Sequence, residues 1–210
     1  MFDENNYALI KQLRTKGVRD HNVLTAMKAV PRRLFVDQHL IQEAYKDIAL
    51  PVDCGQTISQ PYVVAYMISC LNLKSTDKVL EIGTGTGYQS AILSHLCSHV
   101  FTIERFKKLL NKAKINIAKL KIKNISFKLA NGLRGWQEEL LFDAIIISAA
   151  SEITPVELLK SLKNKGCLIM PKKYPLGEQK LLLIKKKYKS YTEKVLFDVK
   201  FVSLLNKDIE

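Results

Sequence analysis

Residues 79–88 read Val-Leu-Glu-Ile-Gly-Thr-Gly-Thr-Gly-Tyr, and no other stretch restricts the fold as much. Val79, Leu80 and Ile82 make a short buried strand. Gly83, Gly85 and Gly87 then predict a tight turn, and residues 89–96 can form a helix. Glycines at alternate positions admit positive φ and let another molecule come close to bare backbone. Glu104 follows Gly83 by about twenty residues, just past the apolar stretch 100–103. A carboxylate there can accept hydrogen bonds from both hydroxyls of a ribose. Strand, acid, three glycines, helix, strand and acid in this order point to a nucleoside site in an α/β domain.

The spacing also restricts the ligand. A dinucleotide fingerprint needs glycine at position 88, where Tyr88 stands. A phosphate-cradling Walker loop needs Gly-Lys-Ser or Gly-Lys-Thr, and no lysine occurs between Lys78 and Lys107. Instead Glu81 sits two residues before the first glycine. An acid there repels a pyrophosphate and attracts an amino group. S-adenosylmethionine, a nucleoside with an ammonium and no phosphate, meets both conditions.

The chain's 210 residues fit one domain with a sizeable core, and 47% hydrophobic with 25% charged residues is the balance of a soluble globular protein. The start, Met1-Phe2-Asp3-Glu4, lacks the basic and apolar segments of a signal peptide, and no apolar run approaches a membrane span. Cys54, Cys70, Cys97 and Cys167 are scattered without a C-x-x-C pair, and no histidine joins them at metal-ligand spacing, so free thiols in a reducing cytoplasm and no metal are expected. The net charge of +13 invites a nucleic-acid reading. Its lysines alternate with Ile, Leu and Asn as on solvated helix and strand faces, and Phe101, Phe106, Tyr188 and Tyr191 form no evident stacking platform, so no specific nucleic-acid partner is expected.

Helices are expected over residues 4–50, with Asp20 capping one that carries Val23, Leu24 and Met27 and ends before Pro31. Pro61 suits the first turn of a helix reaching about Leu71, with Ser59 or Gln60 at its cap. After Glu104, Phe106, Leu109, Leu110, Ala113 and Ile117 share a helix face. Strands are expected at 125–129, 143–148 and 167–170, with a capping box at Thr154 and Glu157 opening a helix that stops near Gly166. Segments 179–185 and 195–205 should pair antiparallel. This divides a single domain into a helical cap with the 55–61 loop (1–72), an α/β core (76–171) and a terminal hairpin (179–205). Gly83, Glu104, Asn131 and Ser148 all follow strands and should converge on one cleft.

A second motif, Gly55-Gln56-Thr57-Ile58-Ser59-Gln60-Pro61, is long for a helix cap and offers hydroxyl and amide donors beside a helix N-terminus, which suits an anionic substrate. With it, the chain resembles the protein-L-isoaspartate O-methyltransferases. The matching pieces are Val30-Pro31-Arg32-Arg33-Leu34-Phe35-Val36, Tyr45-Lys46-Asp47, residues 55–61 and 79–88, Ile103-Glu104-Arg105, and residues 132–136, 142–150 and 199–204. They span nearly the whole chain in the family's order. The glycine motif is shared by many methyltransferases, and the 55–61 loop is far more specific.

The resemblance implies a Rossmann-like α/β methyltransferase fold, a mostly parallel sheet with helices on both faces, a helical cap and a C-terminal antiparallel hairpin. It implies methyl transfer from S-adenosylmethionine to the α-carboxylate of L-isoaspartyl residues in damaged proteins and peptides, by a cytoplasmic monomer. Ser59 takes the family's active-site serine, positioning the substrate carboxylate. Thr57 and Ile58 line the same loop beside the cofactor. Glu81 approaches the cofactor's amino acid end over Gly83, Gly85 and Gly87, and Glu104 takes the ribose. Asn131 and Gly132 fall beside the adenine, where the family usually has Asp-Gly; Asn131 is a departure, and Asn-Gly is also a common turn sequence. Gln179 closes the pocket or merely starts a strand, and Trp136 packs. An RNA methyltransferase would share the cofactor half and suit the charge, but residues 51–61 speak against it. A noncatalytic binding module would not need Gly83, Gly85, Gly87, Glu104 and Ser59 intact.

Overall fold

The computed structural model describes residues 3–136 and 139–205. Helices α1 (Glu4–Thr15) and α2 (His21–Ala29) open the chain. Their caps are local: Asp3 accepts the Asn6 amide and Asp20 the Val23 amide, each silencing an orphan N–H. The short strands β1 (Leu50–Pro51) and β2 (Thr57–Ile58) pair antiparallel across the 53–56 loop, and α3 (Pro61–Leu71) follows with proline in its first turn. Neither Ser59 nor Gln60 caps α3 with a side chain. Gln60 holds the cap position, and Asp47 reaches over to accept the Tyr62 amide at 2.7 Å.

The main sheet alternates with helices in β3 (Lys78–Ile82), α4 (Tyr88–Ser94), β4 (His99–Glu104), α5 (Lys107–Lys119), β5 (Ile125–Leu129), β6 (Phe142–Ile147), α6 (Val156–Lys160), β7 (Leu162–Lys173), β8 (Gln179–Lys187) and β9 (Ser190–Asp198). The strand order is β5-β4-β3-β6-β7-β8-β9. Pairings from β5 through β7 are parallel, and β8 runs antiparallel to both neighbours. The chain runs outward from β3 to β5, then returns to the other side of β3 as β6. That reversal opens a crevice beyond the carboxyl ends of β3 and β6.

Alternation along the strands divides the core. Val79, Ala144 and Ile146 face one apolar cluster, built with α1 to α5. Leu80, Ile82, Ile145 and Ile147 face a second, built with α6 and Trp136. Glu81 therefore projects with Val79 toward α4. Phe106, Leu109, Leu110, Ala113 and Ile117 are all buried, as their helical spacing requires. Trp136 packs edge-on against Phe101, with ring centres 5.0 Å apart. No helix among the described residues is long and apolar enough to cross a membrane.

Two boundaries depart from expectation. The Thr154–Glu157 capping box does not form: Pro155 stands at the cap, α6 ends at Lys160, and the chain is already extended from Leu162. The outer strand of the hairpin begins at Ser190, not Val195. The turn before it places Tyr188 at φ 57°, a left-handed conformation in a bulky residue that carries no Asn-Gly signal. Residues 199–205 leave the hairpin and cross back to β6, where the Ala150 amide donates to the Val202 carbonyl at 2.8 Å and the Leu204 amide donates to the Ala150 carbonyl at 2.7 Å.

Candidate active site

The glycine turn sits at the mouth of the crevice. The Gly83 amide donates to the Ile103 carbonyl (2.9 Å), tying the end of β3 to the end of β4. Gly87 opens α4 at φ 94°, and a Cβ there would lie 3.2 Å from Ala113 Cβ, so its bareness also lets α5 pack close.

Glu104 ends β4 inside this mouth. Its Oε2 accepts the Gly85 amide at 2.8 Å, and its Oε1 accepts the Arg105 and Phe106 amides at 2.8 and 3.0 Å. Burial pushes its pKa up, and the three amides oppose that. Oε1 is filled by its two amides while Oε2, with one, keeps acceptor capacity, and Glu104 lines the cleft. A ribose hydroxyl matches such a group.

Gly83, Gly85, Thr57, Ile58, Ser59 and Gly132 line the same cleft. Gly132 is there by necessity, since a Cβ would fall 2.2 Å from Ile82 Cγ2. Its neighbour Asn131 is not in the lining. Asn131 Oδ1 accepts the Leu133 amide at 3.0 Å and caps the short turn Gly132–Arg134, so Ala130 and Gly132 face the cavity instead. The turn reading of Asn-Gly accounts for this residue.

Glu81 also departs from its expected place. It is fully buried beneath the glycine turn and does not line the cleft. Gln89 Nε2 (2.9 Å), Ser90 Oγ and Thr102 Oγ1 (2.6 Å) all donate to its carboxylate. Thr102 spends its hydrogen on Glu81, so Thr84 is the donor in the 2.6 Å Thr84–Thr102 contact. Burial drives the Glu81 pKa up to about 7 against these donors.

The 55–61 loop is held from below by Arg32, a residue with no solvent exposure. Its guanidinium donates to the carbonyls of Ala44 (2.6 Å), Ile48 (3.0 Å) and Ser59 (3.1 Å). Burial lowers its pKa, while nearby Tyr88 and Asp47 favour the charge. On the outer side, Lys112 bridges Asp37 and Asp53, and Lys108 also pairs with Asp53, which holds the Asp53 carboxyl below its ordinary range. Gln179 shapes the opposite wall indirectly. Its side chain accepts the Phe201 amide (2.7 Å) and donates to the Phe201 carbonyl (3.1 Å), fixing the segment whose residues 202–205 line the cleft.

Thr57 and Ser59 border a second groove as well. It runs between Gln60, Tyr62 and Val63 on one side and residues 197–202 on the other. Ser59 thus stands where the cleft at the glycine turn meets a surface groove. Arg32, Asp47 and residues 202–204 lie in segments that carry the resemblance, but their motifs assign them no role; Gln89 lies just outside the 79–88 motif.

Comparison with known proteins agrees with the geometry. The family model for protein-L-isoaspartate(D-aspartate) O-methyltransferase matches residues 4–209. A protein-L-isoaspartate O-methyltransferase of Parvibaculum lavamentivorans is 43% identical over 205 residues, which is 97% of this chain and 92% of that protein. Among solved structures, one named protein-L-isoaspartate O-methyltransferase superposes with a TM-score of 0.87 at 28% identity, covering 94% of this chain; the chain spans 65% of that longer one. A Plasmodium falciparum structure of the same name, in complex with S-adenosyl-L-homocysteine, superposes with a TM-score of 0.84 at 28% identity, covering 98% of this chain and all of that one. A match of this length, through both the glycine turn and the 55–61 loop, means that the chain belongs to the protein-L-isoaspartate(D-aspartate) O-methyltransferase family.

Proposed function

We infer that this chain is a protein repair methyltransferase that moves a methyl group from S-adenosylmethionine to the α-carboxylate of L-isoaspartyl residues in damaged proteins and peptides. The observation that carries the reading is the junction at Ser59, which borders both the cleft at the glycine turn and the surface groove beside Tyr62 and residues 197–202. The relative from Plasmodium falciparum holds S-adenosyl-L-homocysteine, the demethylated donor, which supports the same ligand here. The residues present suit it: Glu104 Oε2 can accept from ribose, and Ala130 and Gly132 line the cleft without a bulky side chain where the base would lie.

When bound, the donor supplies an electrophilic sulfonium methyl. The acceptor carboxylate is ionised at neutral pH, so no general base is needed. The protein's work is to align the two groups and keep water out. Ser59, held by Arg32 through its carbonyl, presents its hydroxyl to the acceptor carboxylate. Thr57 and Ile58 wall the boundary between the two ligands, and residues 202–205 close the far side. One apolar cluster runs from Leu9 to Leu183, which supports reading helical cap, α/β core and hairpin as one unit. The reading takes the enzyme to be a cytoplasmic monomer with no specific nucleic-acid partner, and the family match lends no support to an RNA acceptor.

The test is transfer of labelled methyl to an isoaspartyl peptide, its aspartyl isomer and tRNA. Base-labile label on the isoaspartyl peptide alone is expected. Preference for tRNA, or equal labelling of both peptides, would reject the assignment.

A further inference from the structure

The side-chain amide of Gln89 crosses the floor of the cleft. Its Nε2 donates to Glu81 Oε1 and to Ser148 Oγ, both at 2.9 Å. An amide nitrogen has two hydrogens, and both are thereby used. Two polar functions remain at the cleft surface, which both residues line. One is Gln89 Oε1, an acceptor. The other is the hydrogen of Ser148: its oxygen receives from Gln89, so its O–H is left to donate. They lie next to the first glycine, since a Cβ on Gly83 would stand 3.5 Å from Ser148 Cβ.

Glu81 sets this polarity. Its carboxylate, surrounded by the Ser90 and Thr102 hydroxyls, demands a donor from Gln89 and turns the amide N–H side inward. Rotating the amide would set Oε1 against a carboxylate oxygen. The buried acid thus acts on the cleft through Gln89.

An ammonium only donates and a carboxylate only accepts. One exposed acceptor beside one exposed donor is the complement of an amino acid zwitterion. We propose that Gln89 Oε1 and the Ser148 hydroxyl together read the amino acid end of the methyl donor, Gln89 taking the ammonium and Ser148 the carboxylate, with Glu81 as the positioning residue for the pair. This rests on the donor assigned above and gives Glu81 an indirect role in place of direct contact.

The experiment compares calorimetric binding of S-adenosylhomocysteine with that of 5′-methylthioadenosine, which keeps the nucleoside and thioether but has no amino acid end. Gln89→Met and Ser148→Ala are each expected to weaken S-adenosylhomocysteine roughly tenfold or more, the scale of a charged hydrogen bond, and to leave methylthioadenosine within about twofold. Glu81→Gln should show the same selectivity, because it frees the amide to turn. Retained methylthioadenosine binding also reports a folded site. Should Gln89→Met fail to fold, the smaller change Ser148→Ala decides by the same ratio. Equal loss of both ligands, or no loss of S-adenosylhomocysteine, overturns the proposal and leaves the donor assignment standing. A wild-type protein that binds neither ligand overturns both.

Discussion

The carboxylate of Asp47 accepts the backbone amide of Tyr62 at 2.7 Å, so the helix that follows the substrate loop is capped from outside its own sequence neighbourhood. Asp47 also accepts from the Gln60 side chain at 3.2 Å and pairs with Lys16. Replacing Asp47 with Ala is expected to cost about 1 kcal/mol for the lost cap, a fall of roughly 2–4 °C in Tm for a domain of this size. The KM for an isoaspartyl peptide should rise as well, because the capped turn adjoins Ser59. Asp47→Asn keeps an acceptor for Tyr62 but sets an NH2 where Oδ2 accepts from Gln60 and pairs with Lys16, so it should lose less stability than Asp47→Ala while keeping the peptide KM near that of wild type. Thermal unfolding beside peptide kinetics checks both; equal losses in the two variants would mean that the Oδ2 contacts, not the cap, hold the loop.

Ser59 should act on the acceptor. In Ser59→Ala, turnover of an isoaspartyl peptide is expected to fall roughly tenfold or more, as for loss of one hydrogen bond to a carboxylate. The Kd of S-adenosylhomocysteine should change by less than about threefold, since the Arg32 bond goes to the Ser59 carbonyl, which alanine keeps. Parallel losses in turnover and in donor affinity would contradict that division of labour.

Glu104 combines two tasks, and two substitutions separate them. Glu104→Ala removes the acceptor for three backbone amides and for the ribose. Glu104→Gln keeps one acceptor oxygen of similar shape. Donor binding is expected to weaken by about 1–3 kcal/mol in the alanine variant, with loss of thermal stability; the glutamine variant should recover most of the stability and only part of the affinity. An unchanged Kd for S-adenosylhomocysteine in Glu104→Ala would remove the ribose assignment.

What was legible in the chain followed the range of the interactions. The place of Gly83, Gly85 and Glu104 at one cleft could be read because strand, turn, helix and next strand are consecutive, whereas Gly87 opens α4 against Ala113 and does not line the cleft. Arg32 stands in a matching segment, but its task could not be read, because its partners at Ala44, Ile48 and Ser59 are carbonyls, which every residue type shares. Asp47 escaped for a similar reason: a cap supplied from Asp47 to Tyr62 leaves no pattern within the helix. Glu81 carries a local signal as the acid before the glycines, but its partners Gln89, Ser90 and Thr102 carry none. Strand alternation places it opposite Leu80 and Ile82, yet both faces of β3 are buried, so period alone does not say what covers each face. The start of β9 carries no local signal, because Tyr188 takes a left-handed turn conformation with no glycine or asparagine to announce it.

Burial of Glu81 makes stability depend on pH in a direction opposite to that of a paired surface carboxylate. Its folded pKa, about 7, lies above the ordinary carboxylate value that it regains on unfolding. The folded protein therefore holds this proton more tightly than the unfolded chain. The stabilisation is fully present below the unfolded pKa, declines as pH rises from there, and is lost once pH passes the folded value. The displacement corresponds to a penalty on the order of 3 kcal/mol for keeping the ionised acid buried at pH 8. Glu81→Gln cannot titrate and lacks that slope. Free energies of unfolding from denaturant titrations at pH 4.5, 6 and 8 should show the wild type losing ground to Glu81→Gln at each step upward. Gln89, Ser90 and Thr102 do not titrate in this range, whichever way the Gln89 amide turns, so the difference between the two proteins isolates the Glu81 ionisation from the pH dependence of every other group. Parallel pH profiles for the two proteins would mean that Glu81 keeps an ordinary pKa despite its burial.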